Sequence, residues 1–137
     1  MVQVQDKLAV QREYIVQLLG QLTVDYQNTK AEQREIAECY PNSEEEFTFS
    51  EELELLTVSI RGYASQVRET ETVKNCELAI AHLQQLRVLD RPVIAQFYEE
   101  ERSRYPQIQS YLWRLDYLRL LVLEYLQMQQ SVQPLSA

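Results

Sequence analysis

Chemistry in this chain would have to pass through very few residues. His82 is the single histidine, so a Ser-His-Asp or Cys-His arrangement would have to use it. Nothing in the sequence places Cys39 or Cys76 beside it. Di-iron bundles draw Glu-x-x-His from two helices, whereas residue 79, three before His82, is Ala and no second histidine exists. A lone histidine on a helix can also accept a phosphoryl group. The local text, Ala81-His82-Leu83-Gln84-Gln85-Leu86, lacks the Lys-Gly or acid-Leu-Arg pattern that follows the histidine in phosphotransfer domains and histidine-kinase dimerisation helices. Phosphotransfer through His82 therefore stands only as an alternative.

Other catalytic and metal patterns are missing. With Gly20 and Gly62 as the only glycines, no glycine loop can cradle a phosphate. Catalysis by paired carboxylates needs a pocket that raises one pKa, and most of these glutamates read as surface. The Asp/Asn spacing and central glycine of a calcium loop are absent. Cys39 and Cys76 form neither a CxxC pair nor a zinc pattern and are expected as buried, reduced thiols. No enzyme activity, cofactor or metal is expected.

The charge is segregated. Thirteen Lys and Arg against 21 Asp and Glu give a net −8. Residues 35–60 hold eight acids (Glu35, Glu38, Glu44, Glu45, Glu46, Glu51, Glu52 and Glu54) and no base, while the rest of the chain is balanced at 13 of each. Nucleic-acid binding needs clustered Lys and Arg to displace counterions from phosphate. Arg102, Arg104, Arg114 and Arg119 are the nearest thing to a cluster, and Glu99, Glu100 and Glu101 precede the first two. Nucleic acid is not expected as a partner, and a small helical subunit of a nucleoprotein complex ranks below the leading expectation. The acidic segment suggests instead a docking face for a basic protein surface, formed by Glu44, Glu45, Glu46, Glu51 and Glu52. Such a face would speed association by electrostatic steering. Phe47 and Phe49 alternate with these acids and either pin the segment to the core or anchor a partner.

The elements that must position these groups read as helices. Two Gly and four Pro in 137 residues are few for a strand-rich fold, which spends both on turns. Apolar residues at Leu8, Ile15, Leu19, Leu22, Tyr26, Ile36 and Tyr40 are spaced by three, four or sums of the two, predicting one long helix over about 4–38. Its stripe turns polar at Thr29 and Gln33. Pro41 ends it, and an acidic linker spans 41–49. Ser50 then caps a helix over 50–69, with Glu51 and Glu52 in its first turn. A third helix covers 72–88; the stripe swings by about 180° between Val67 and Cys76, which places a break near Thr70–Thr72. Pro92 and Pro106 open helices over 92–104 and 107–130. The expectation is an all-α, single-domain bundle of four to five helices with a long N-terminal helix.

The last helix has two apolar faces. Ile108, Tyr111, Leu112, Leu115, Leu118, Val122, Tyr125 and Leu126 make a core stripe; Trp113, Tyr117 and Leu120 lie on the other side, flanked by Arg114 and Arg119. Either the helix is central and wrapped all round, or its second face is an interface, where Trp, Tyr and Arg are enriched. Trp113, Tyr117, Leu120 and Arg114 are the candidate contact residues, with a homodimer through 107–130 as one outcome. No signal peptide opens the chain and no apolar run spans a bilayer, so a cytoplasmic setting without membrane insertion is expected. The composite expectation is a small acidic, non-catalytic protein working by protein–protein contact as an adaptor, assembly factor or regulator.

Overall fold

The computed structural model describes residues 4–39, 48–70 and 72–132. Among them it forms six α-helices and no strand: α1 (Val4–Asn28), α2 (Lys30–Cys39), α3 (Phe49–Glu69), α4 (Cys76–Gln85), α5 (Pro92–Glu101) and α6 (Pro106–Val132). Single 3-10 turns at Val88–Asp90 and Arg102–Arg104 flank α5. The all-α class holds, and the expected four to five helices approximate the six observed.

The long N-terminal helix is two segments joined at Thr29. The Thr29 N–H and hydroxyl both donate to the Tyr26 carbonyl, at 3.1 and 2.7 Å. This local bonding replaces a regular helical turn, the competition with backbone that Thr offers inside helices. Gln33 closes the junction by donating its amide to the Thr29 hydroxyl at 2.8 Å. Thr29 and Gln33 are buried, so the polar stretch of the stripe lies inside the protein and is satisfied there.

Helix boundaries elsewhere follow from caps. Thr48, not Ser50, is the N-cap of α3: its hydroxyl accepts the Glu51 N–H at 3.2 Å and donates to the Glu51 carboxylate at 3.1 Å. Thr70 ends α3 in extended geometry. Asn75, at φ 57°, precedes α4; Asn is among the few residues that tolerate the left-handed region. Residues 50–88 are thus two helices, the second starting four residues later than the sequence predicts. Pro106 occupies the first turn of α6, where no donor is missed. The next two N–H groups, of Gln107 and Ile108, donate to the two carboxylate oxygens of Glu32 at 3.1 and 2.9 Å. A side chain from α2 therefore caps α6.

The core lies between α1, α3 and α6. Gln11 bonds to Leu121 and Asp25 to Arg114, so α1 and α6 run antiparallel. Arg12 bonds to the Val67 and Arg68 carbonyls and Arg61 to Thr23, so α3 is antiparallel to α1 as well. Ile15, Leu19 and Leu22 from α1 meet Leu53, Leu56 and Ile60 from α3 and the inner stripe of α6, all essentially without exposure. Burial at roughly 1.5–3 kcal/mol per large aliphatic makes this interior the main source of stability. α4 covers another side of α6, held by Cys76 Sγ donating to the Leu126 carbonyl at 3.2 Å and by Gln129. The Gln129 side-chain amide accepts from the Val73 N–H and donates to the Val73 carbonyl at 3.0 and 2.9 Å.

Candidate interaction surface

α6 presents two unlike sides. Its inner stripe is the one the periodicity predicts: Ile108, Tyr111, Leu112, Leu115, Leu118, Val122, Tyr125 and Leu126 are all buried. Tyr111 shares a 2.9 Å hydrogen bond with the Thr57 hydroxyl and lies 5.4 Å from the Tyr26 ring. Burial pushes its phenol up to about 12, against smaller lowering effects from Thr57 and Arg61. On the outer side, Trp113 is 61% exposed, Tyr117 57% and Leu120 46%. The fold does not wrap this face. Trp113 is braced by its indole N–H, which donates to the Tyr98 hydroxyl of α5 at 2.7 Å, with the two rings 6.4 Å apart.

A second wall comes from α1. Tyr14 stands 58% exposed across from Tyr117, and the two helices enclose an open groove of about 330 Å³ lined by Tyr14, Gln17, Leu18, Gln21, Tyr117 and Leu121. α3 packs on one side of the α1–α6 pair; the groove opens on the other. The walls are fixed by polar ties between the helices. Gln11 donates its amide to the Leu121 carbonyl at 3.2 Å. Arg114 meets Asp25 at 2.6 Å, and Asp25 also accepts from Gln21 at 3.0 Å.

That pairing revises two expectations for the arginines. Arg114 is spent on Asp25 and serves as a clamp between helices, leaving it no spare charge for a partner. Arg119 is buried and points into the protein. It donates to the Leu83 carbonyl at 2.9 Å and pairs with Asp116 at 2.9 Å, while Asp116 accepts the Val88 N–H at 3.3 Å. This network satisfies the C-terminal end of α4 and the turn after it.

No protein family, curated protein or solved structure matches this chain.

Of the second expected face, at the start of α3, Phe49 and Glu52 are turned inward and Glu51 is exposed. Phe49 is buried, its ring 4.6 Å from Phe97, which in turn lies 5.7 Å from Tyr105. It pins the chain to the core and is not held out as an anchor. Glu52 is buried with its carboxylate 3.3 Å from the Arg91 guanidinium. Glu51, exposed, accepts the Thr48 hydroxyl on its carboxylate and donates its N–H to the same hydroxyl. Helix geometry explains this: residues three to four apart share a face, so Phe49, Leu53 and Leu56 bring Glu52 to the same side. Glu44, Glu45, Glu46 and Phe47 lie outside the described residues.

The remaining singled-out groups are built into the structure. His82 is exposed on α4, and its Nδ1 shares a 2.6 Å hydrogen bond with the Tyr63 hydroxyl of α3. Cys76 is buried; desolvation, and secondarily the charge of Glu77, push its thiol up and keep it protonated. The side chain of Cys39 is outside the described residues. Among those residues no three His, Cys, Asp or Glu side chains converge as a metal would require, and no helix is long and apolar enough to cross a membrane.

The residues that sequence reasoning missed are those of α1: Tyr14, Gln17, Leu18 and Gln21. A signal was present. Val10, Tyr14, Gln17, Gln21 and Val24 repeat at helical spacing without a charge, beside the stripe that forms the core.

Proposed function

We propose that this protein is a non-catalytic interaction protein, an adaptor, assembly factor or regulator, whose contact site is the outer α1/α6 face. One observation carries the reading. Tyr14 and Tyr117 stand more than half exposed as walls of one groove, and Trp113, one helical turn before Tyr117, is exposed beside it, although each belongs to a helix whose inner stripe is buried. The largest apolar patch on a typical monomer is about 300–600 Å² and is often functional, and Trp and Tyr dominate binding energy where proteins meet. The walls are also rigid. Both come from long helices tied by Gln11, Asp25 and Arg114, so little ordering entropy is lost on binding. A reducing, cytoplasmic setting, with the Cys76 thiol buried and protonated, belongs to the same reading.

The test is site-specific photo-crosslinking in cells that make the protein, with benzoylphenylalanine replacing Tyr117 or, as a control, Val58. Val58 is 63% exposed on α3, away from the groove. The expected result is a discrete covalent adduct from position 117 and none from position 58. Equal labelling from both positions, or none from 117, would remove the assignment.

A further inference from the structure

We infer that the occupant of this face is a second copy of the chain, related to the first by a two-fold axis passing beside Tyr117. The inference rests on the face being an interaction site and adds what binds there.

Charge is the first reason. At net −8, two copies repel unless they meet where neither carries excess charge. The outer face meets that condition. Between Tyr14 and Val24, α1 has no charged residue. Between Ser110 and Leu123, α6 has Arg114, Asp116 and Arg119, and each is consumed by an intramolecular pair: Arg114 with Asp25, Arg119 with Asp116. The exposed Glu124, seven residues after Tyr117, stands at the rim of the same side. At the centre of the face, around Tyr117, a basic or acidic partner would find no counter-charge, whereas a copy brings the same neutral surface. Of the acids in residues 35–60, Glu51, Glu52 and Glu54 belong to α3, which packs on the opposite side of the α1–α6 pair from the groove.

Spacing is the second. A two-fold contact requires one patch to be complementary to itself. On α6, Trp113 precedes Tyr117 by four residues and Leu120 follows it by three, all on the outer side by helical geometry, with the partly buried Leu121, four after Tyr117, at the edge of that side. Antiparallel crossing of two α6 helices at Tyr117 therefore sets Trp113 against Leu121 of the partner subunit, and the reverse contact repeats it. Tyr14 and Leu18 from α1 extend the patch along one flank.

Area is the third. At roughly 200 Å² per aromatic side chain, the exposed parts of Tyr14, Trp113 and Tyr117 supply on the order of 350 Å². With Val10, Leu120 and the groove glutamines, the face reaches roughly 700 Å², close to the roughly 800 Å² per partner of a standard specific interface.

Sedimentation velocity on the purified full chain, over a wide concentration range, tests this with a charge swap at the axis. The wild type is expected to dimerise. Tyr117→Glu and Tyr117→Lys, which place like charges face to face, each weaken the dimer about 30-fold or more, at unchanged helicity by circular dichroism. An equimolar mixture of the two variants recovers the dimer, because opposite charges now meet across the axis. Should either variant lose helicity, Leu120→Ser carries the same test and is expected to shift the wild-type equilibrium toward monomer. A wild type that stays monomeric throughout, a dimer indifferent to these substitutions, or a mixture that fails to reassociate would overturn the inference. In the crosslinking experiment, an adduct at position 117 of twice the chain mass supports the second copy. An adduct of any other mass refutes the second copy while leaving the face as a binding site.

Discussion

The outer side of α6 and the start of α3 are both candidate contact surfaces in the sequence, one greasy and one acidic, and the fold treats them in opposite ways. At the start of α3, each prominent residue has work inside the molecule. Phe49 fills the core against Phe97, Glu52 pairs with Arg91, and Glu51 completes the cap with Thr48. On α6, Trp113, Tyr117 and Leu120 remain exposed because the inner stripe of the same helix already satisfies α1, α3 and α4. Acids at a helix start need not be free for a partner: Glu52 turns inward with the apolar stripe, and Glu51 bonds to the cap residue. Apolar residues outside a completed core stripe have no such intramolecular use.

The sharpest way to break this contrast is a pair of truncations. Phe49→Ala is expected to lower unfolding free energy by about 3–4 kcal/mol, as core aromatics do. Trp113→Ala, measured at the same low protein concentration, should change it by no more than about 1 kcal/mol. Urea unfolding followed by circular dichroism decides, and equal losses would mean the two sites are not different in kind.

Alkaline pH probes the interior beneath both regions, where Tyr111 of α6 meets Thr57 of α3. The folded protein raises the Tyr111 hydroxyl to about 12, above the usual value near 10, so folding favours its neutral form. That contribution is complete below pH ~10, is lost progressively as pH rises toward about 12 and then levels off. The drop is on the order of 3 kcal/mol. Tyr111→Phe should remove most of this pH dependence in urea titrations; an unchanged slope would mean that other groups cause it.

The smallest expected effect concerns helix sides that the chain itself leaves bare. A Cβ added at Gly20 on α1 or Gly62 on α3 would meet nothing within 4 Å. Gly20→Ala and Gly62→Ala should each stabilise the protein by about 0.5–1 kcal/mol through lower unfolded-state entropy. A loss at either position in thermal melts would show that a neighbouring chain lies close against that side.

Much of the architecture can be derived from local pattern. The stripes on α1, α3 and α6, the prolines opening α5 and α6, and the stripe rotation between Val67 and Cys76 are short-range features, and helix formation responds to them. The break at Thr29 is half visible, as a polar interruption of the stripe. That Thr29 and Gln33 would turn inward and bond to each other is not, because isolated polar residues at core positions predict loose packing unless a specific partner is known. The groove is visible by one wall only: Trp113, Tyr117 and Leu120 show on α6, whereas Tyr14 and Leu18 acquire meaning only once α1 lies antiparallel beside it.

By itself, the amino-acid order determined that the chain is helical, where most helices stop, and that α6 has more apolar circumference than one core face uses. Periodicity and capping act over a few residues, so the chain text contains them in full. Tertiary structure alone decided which surfaces are spent. Arg114 finds Asp25 across 89 positions, and Glu32 caps a helix that begins more than seventy residues later. Glu52 enters the interior beside Arg91. Each outcome depends on which helix faces come together, and that is settled by the packing of distant segments into one core.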